Sequence, residues 1–125
     1  MRQEFTITDA SVSFFTIPTD APEADGTFSW DSTSMVLVQL ACGNVRALGY
    51  TYADGGTAAA AQKLLKDVVL GSDPLCHAAT LQEMLRQIRN LGETGIAMMA
   101  VSAIDNGLWD LRARLMDLPL VSLLG

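Results

Sequence analysis

The sequence predicts an α+β fold, a three-stranded antiparallel meander followed by a small bundle of about three helices. Three observations carry this. The first half holds apolar, β-branched runs with period-two spacing. The second half holds apolar residues at steps of three and four. A Gly-Asn pair, Gly43 and Asn44, stands between two of the β-like runs.

The first strand is read from "EFTITDASVSFF", where Phe5 and Ile7, then Val12 and Phe14, alternate around a break near Asp9 and Ala10. The second is "SMVLVQLA", Ser34 to Ala41, and the third "VRALGYTY", Val45 to Tyr52. Gly43 and Asn44 both tolerate positive φ, so these last two should form a tight hairpin. Between strands one and two lies "TIPTDAPEADGTFSWDST", with Pro18, Pro22 and Gly26, the acids Asp20, Glu23, Asp25 and Asp31, and the aromatics Phe28 and Trp30. A connection this long is expected to be either functional or disordered. Its acids do not match the spacing of a calcium loop and read as a solvated surface.

The first helix should follow the turn at Asp54–Gly56, with Thr57 as N-cap and Gly71 at its end. The second runs through Leu81, Met84, Leu85, Ile88 and Leu91 to Gly92, starting either at a Thr80/Glu83 capping box or earlier, after Pro74. The third begins near Gly95 or Ile96. Ala97, Val101, Ile104, Leu108, Leu111 and Leu115 form its apolar stripe, and Ala100, Ala103 and Gly107 form a strip of small residues beside it. Glycine inside a helix costs about 1 kcal/mol against alanine, so Gly107 points to a close approach by another backbone. Asp105 and Trp109 border the stripe, and Asp110 can pair with Arg114 one turn on. Pro119 stops this helix before Leu118 and can open a short new one, "PLVSLLG", whose Leu120, Leu123 and Leu124 need something to pack on.

The 125 residues fit one domain, with half of them hydrophobic and a mean hydropathy of +0.27. A chain of this size buries roughly two-thirds of its unfolded surface, so apolar surface should be left over as an interface. The net charge is −6, and bases such as Lys63, Lys66, Arg86, Arg89, Arg112 and Arg114 are scattered, so nucleic acid is not an expected partner. No stretch approaches the ~20 apolar residues of a membrane span, and Glu4 and Asp9 stand where a signal peptide would be apolar. A cytoplasmic protein is expected, with Cys42 and Cys76 as free, buried thiols. His77, the one histidine, is expected at a helix start or on the surface, and Asp105 as a structural carboxylate hydrogen-bonded to backbone or to Arg.

"AVSAIDNGLWDLRARLMDLPLVSLLG", from Ala100 to Gly125, resembles the signature that closes the N-terminal domain of the mandelate racemase/muconate lactonising enzyme family in the enolase superfamily. Ala103, Ile104, Asp105, Leu108, Trp109, Asp110, Pro119, Leu123, Leu124 and Gly125 carry the match. "GSDP" (Gly71–Pro74), "GIAMMA" and "LGYTYADGG" are similar too, in the right order. Asp117 stands where the family usually has Gly, and Asn106 where it has a small or apolar residue.

The resemblance implies a capping domain over residues 1–117, with 118–125 starting the connection to a (β/α)8 barrel that this chain lacks. It implies an enzyme in which barrel carboxylates hold Mg2+ and a Lys or His base removes a proton alpha to a carboxylate. Acid-sugar dehydration, racemisation and cycloisomerisation are the candidate reactions. No catalytic or metal-binding residue is expected in the segment, and alone it should be inactive. Its partners would be its own barrel, a small carboxylate substrate and further copies in a homo-oligomer. In the family, the loops after the first and third strands close on the substrate. By position this makes Asp25, Thr27, Trp30, Tyr50 and Tyr52 the substrate-binding candidates, Trp30 and Tyr52 foremost, beside Phe28 and Asp54. Trp30 has a second reading as a packed loop anchor. The rival to the capping domain is a free-standing α+β binding or assembly module without catalysis.

Overall fold

The computed structural model describes residues 5–125; Glu4, read with the first strand, lies outside them. One antiparallel sheet of three strands has the order β1 (Asp9–Ala24), β2 (Ser29–Cys42), β3 (Val45–Tyr52). Helices α1 (Gly55–Leu64), α2 (His77–Ile88), α3 (Ile96–Leu115) and α4 (Leu120–Leu124) follow. The meander and the helical half are therefore as the patterning predicts, and α4 is the short helix that Pro119 opens.

Strand three matches its predicted span. Gly43 takes φ +58 and Asn44 stays at negative φ, the pattern of a hairpin turn with glycine first. Strands one and two are longer than their apolar runs. They continue through the stretch read as a long loop, pairing as far as Ala24 and Ser29. The pairing jumps from Pro18↔Ser32 to Glu23↔Trp30, so β1 bulges outward there. Pro18 and Pro22 are tolerated because β1 is an edge strand whose outward amides bond nothing in the sheet. At the other end, Ile7 is not in the strand. It is buried, and its backbone pairs with the loop after α1, Ile7 N–H to Ser72 O and Gly71 N–H to Ile7 O, both at 2.9 Å.

Alternation sorts the sheet into two faces. Val36, Val38, Leu40 and Cys42 are buried beneath the helices. The register puts Thr51, Gly49, Ala47 and Val45 of β3 on the same face. Leu64, Leu65, Val69, Met84, Ile88, Val101, Ile104, Leu108 and Leu111 complete this core. Each such side chain contributes ~1.5–3 kcal/mol by leaving water. The opposite face, with Phe15, Leu48, Tyr50 and Tyr52 exposed, has no layer over it among the described residues.

The strip of small residues on α3 does what Gly107 predicts. A Cβ on Gly49 would stand 2.1 Å from the Ala103 carbonyl oxygen and 2.4 Å from the Gly107 nitrogen. A Cβ on Gly107 would meet Leu40 Cδ1 at 3.3 Å and the Gly49 nitrogen at 3.4 Å. Helix and strand touch backbone to backbone. Beside this contact, Asp110 Oδ2 accepts the Leu48 N–H at 3.0 Å, and its Oδ1 accepts from Arg114 Nε at 2.9 Å. The expected Asp110–Arg114 pair thus also seals the open edge of β3.

Several helix ends differ from the reading of the sequence. Asp54, not Thr57, caps α1, its carboxylate accepting the Gly56 N–H at 2.9 Å. Thr57 is buried in the first turn, where its hydroxyl has no protein partner among the described residues. The helix widens into a π-helical turn, Leu65–Val69, before Gly71 at φ +85. The segment after Pro74 starts with a 3-10 turn capped by Asp73, so no Thr80/Glu83 box forms. Glu83 binds Arg86 and Gln87 instead, and those hydrogen bonds pull its pKa down to about 2. Cys42 is buried as expected, but Cys76 is exposed at the end of that turn. Asp117 takes φ 52, the left-handed conformation that explains why glycine is usual there and that aspartate tolerates. Beyond it Leu118, Leu120, Val121 and Leu124 are exposed.

The Gly49 contact leaves no room for a side chain. Gly49→Ala is expected to cost at least 3 kcal/mol through overpacking against unyielding backbone, read as a lower urea midpoint. Gly107→Ala, facing the movable Leu40, should cost under 1 kcal/mol, because better helix propensity offsets the crowding.

Candidate functional site

The ribbon formed by the far ends of β1 and β2 turns at Asp25–Phe28. Asp25 organises the turn. Its Oδ1 accepts from the Thr27 N–H (2.7 Å), the Thr27 hydroxyl (2.9 Å) and the Phe28 N–H (2.9 Å). The Asp25 N–H donates to the Phe28 carbonyl at 3.0 Å. Those bonds to Thr27 and Phe28 hold the Asp25 carboxyl below its ordinary range of 3.8. Two predicted substrate residues, Asp25 and Thr27, thus direct their polar groups at each other.

Trp30 sits on β2 next to the turn. Its Nε1–H donates to Glu23 Oε2 at 2.7 Å, and its ring stacks on Phe28 with centroids 6.2 Å apart and planes 18° off parallel. The indole N–H is therefore engaged, and what Trp30 and Phe28 offer outward is aromatic surface, Phe28 being 69% exposed. A shallow hollow lined by Pro22, Ser29, Trp30 and Asp31 lies alongside. Glu23, whose carboxylate orients the indole, reads from sequence only as one acid of a solvated surface and not as a substrate-site residue. Its seven-residue separation from Trp30 becomes a cross-strand pair only because of the bulge.

Tyr50 and Tyr52 lie within β3 rather than in the loop after it. They project from the open face of the sheet, edge to face with centroids 6.0 Å apart. Tyr52 pairs with Met35 and Tyr50 with Leu37. Trp30 stands five positions beyond Met35 along β2, about 17 Å at strand rise, and alternation points it to the other face. The structure therefore makes two clusters, Trp30 with Phe28 at the ribbon tip and Tyr50 with Tyr52 on the sheet. It does not bring them together into one pocket. Asp54, the α1 cap, follows Tyr52 by two residues.

A further polar cluster joins two helices. His77 is the first residue of α2, and its ring is buried rather than on the surface. Nε2 lies 2.8 Å from Asp105 Oδ1. The ring packs on Trp109 at 4.4 Å between centroids, and the Arg112 guanidinium lies 5.4 Å from the Trp109 centroid. Asp105 is thus a structural carboxylate, with histidine rather than backbone or arginine as its partner. The 28 residues between His77 and Asp105 hide this pair from any reading of spacing. With the His77 ring buried and Asp105 half-buried, the pair ties α2 to α3.

Among the described residues no three His, Cys, Asp or Glu side chains come together to hold a metal ion. Asp105 is taken by His77 and Asp25 by its own turn, so these residues do not fit a Mg2+ site. No helix among the described residues is long and apolar enough to cross a membrane.

Residues 11–125 match the sequence model of the mandelate racemase / muconate lactonizing enzyme N-terminal domain. The chain belongs to this family. A solved mandelate racemase/muconate lactonizing enzyme-like protein from Rubrobacter xylanophilus is 46% identical over 94% of this chain and 33% of its own, with a TM-score of 0.88. L-talarate/galactarate dehydratase from Salmonella typhimurium LT2, solved with Mg and L-lyxarohydroxamate, is 26% identical over 98% of this chain and 34% of its own, with a TM-score of 0.87. A sequence match to L-talarate/galactarate dehydratase of the same species gives 36% identity over 81 residues, 62% of this chain and 20% of the dehydratase. The chain thus spans about a third of these solved relatives, and the curated match covers a fifth of the dehydratase.

Because the Asp25 carboxyl is held low by bonds to its ionised form, those bonds persist above the unfolded value of 3.8 and are lost as pH falls through the lower folded value. Amide resonances of Thr27 and Phe28 should therefore shift with a midpoint below 3.8, and in Asp25→Asn this acid transition should vanish.

Proposed function

We propose that this chain is the capping and substrate-specificity domain of a Mg2+-dependent enolase-superfamily enzyme that removes a proton alpha to a carboxylate. The observation that carries the reading is the family match over residues 11–125, joined to an aromatic ribbon tip whose polar groups are already engaged. Acid-sugar dehydration is the favoured reaction class, because dehydratases acting on L-talarate and galactarate are among the relatives. Racemisation and cycloisomerisation belong to the same chemistry. The metal and the base belong to a barrel domain joined after Asp117, near residues 118–125, and the chain by itself carries no catalytic step. A cytoplasmic setting and a homo-oligomeric assembly complete the proposal.

Within it, Trp30 and Tyr52 contact the substrate through flat apolar faces, and Tyr50 stands beside Tyr52. Asp25 and Thr27 act by shaping the turn that presents Trp30. The exposed Leu118, Leu120, Val121 and Leu124 supply apolar surface for the barrel to cover.

The test is made in the protein joined to its barrel. Trp30→Ala should lower kcat/KM for the preferred acid sugar at least tenfold while leaving the exchange of the substrate's alpha proton detectable. Loss of a substrate contact acts on transition-state binding and leaves the base in place. An unchanged kcat/KM removes Trp30 from the substrate site. If Mg2+ has no effect on activity, the class itself is wrong.

A further inference from the structure

The ribbon that carries Trp30 bears charge of one sign. Residues 18–32 hold Asp20, Glu23, Asp25 and Asp31, and no Lys, Arg or His occurs between Arg2 and Arg46. Arg46 pairs with Ala41, eleven positions from Trp30 along β2, about 36 Å at strand rise. The Debye length is about 8 Å at physiological salt, so that base does not offset the ribbon's charge. The four acids are used differently. Asp25 is taken up by its own turn, and Glu23 gives Oε2 to the Trp30 indole. Asp31 is exposed and lines the open hollow beside that indole, together with Pro22, Ser29 and Trp30. These acids do not make a site of their own. They set the charge of the one that Trp30 and Phe28 form.

We propose that this charge selects the far end of the substrate: a sugar acid with a single carboxylate, whose remote carbon bears a neutral hydroxyl group. The inference rests on the capping reading above. In that reading the barrel's metal and base engage the carboxylate beside the reacting carbon, so it is the other end that meets the ribbon. A second carboxylate there would face Asp31 and Glu23 with no cation of this ribbon to pair it, and like charges brought together reject a wrong partner. A hydroxyl group instead donates to a carboxylate oxygen in a charge-assisted hydrogen bond, while the C–H edge of the chain lies on the indole face. Asp31 is therefore the specificity-determining residue. L-talarate and galactarate, named for the dehydratase relatives, bear a carboxylate at each end. This chain departs from them in the charge it admits at the far end.

The test uses the barrel-linked protein and six-carbon sugar acids in matched pairs. Each hexonate, ending in CH2OH, is compared with the hexarate of the same configuration. For the best pair, kcat/KM should favour the hexonate by about tenfold or more. The difference should lie mainly in KM, because far-end charge acts alike on ground and transition states. Asp31→Asn should narrow the ratio about threefold or more. Raising the ionic strength from about 0.05 M to about 0.5 M should narrow it too, by screening the ribbon. Asp9→Asn, at the opposite end of β1, should leave the ratio unchanged. Preference for the hexarate, or a ratio that neither Asp31→Asn nor salt moves, overturns the proposal even where Trp30→Ala lowers kcat/KM and the capping reading stands. So does preference for a 6-amino-6-deoxyhexonate over the hexonate, since the ribbon would then pair a cation. Inactivity on all these acids overturns the capping reading and this proposal with it.

Discussion

The contact between Gly49 and Gly107 is the constraint on which the architecture rests. Two backbones meet there with no side chain between them, so α3 lies directly on β3. That closeness lets the Asp110 carboxylate reach the Leu48 amide, and it holds Leu40, Ile104, Leu108 and Leu111 at core distance. A methyl group on the strand would lift the helix and loosen all of these at once. The cost of a glycine in mid-helix is offset by the packing it permits.

From that clasp the rest of the molecule takes its orientation. With one sheet face committed to α3, alternation turns Tyr50 and Tyr52 outward. The same alternation places Trp30, farther along β2, on the other side. The ribbon tip is built by hydrogen bonds rather than by a core. Asp25 closes the turn, Glu23 fixes the indole, and Phe28 stacks on it. Such a tip is preorganised and still outside the packed body, which suits a specificity element carried on a rigid scaffold. The His77–Asp105 pair ties α2 to α3.

Much of the fold was legible in the sequence because its signals are local. The period-two runs, Gly43 with Asn44, the apolar stripe of α3 and the stop before Pro119 each rest on neighbouring residues. Gly107 announced a close approach, although its partner Gly49 could not be read, being far away in the chain. The long loop was misread for a definite reason. Proline and acidic residues ordinarily break strands, yet an edge strand with a bulge accommodates both. Thr57 lost the capping role to Asp54, because the helix starts three residues earlier than read, at Gly55, where the Asp54 carboxylate reaches the Gly56 amide. The candidate site was legible in composition and not in geometry. Aromatic residues marked the two clusters, but their opposite faces follow from register. The partners Glu23 and His77 emerge only from tertiary pairing.

In the proposed role this chain shapes substrate recognition and leaves the chemistry to another body. The most direct measurement is a crystal structure of the barrel-linked protein with Mg2+ and an unreactive acid-sugar analogue. Trp30 or Tyr52 is expected within van der Waals contact of the analogue, about 4 Å, with every protein ligand to the metal lying beyond Gly125. A metal ligand contributed by residues 5–125, or both aromatics turned away from the analogue, would contradict it.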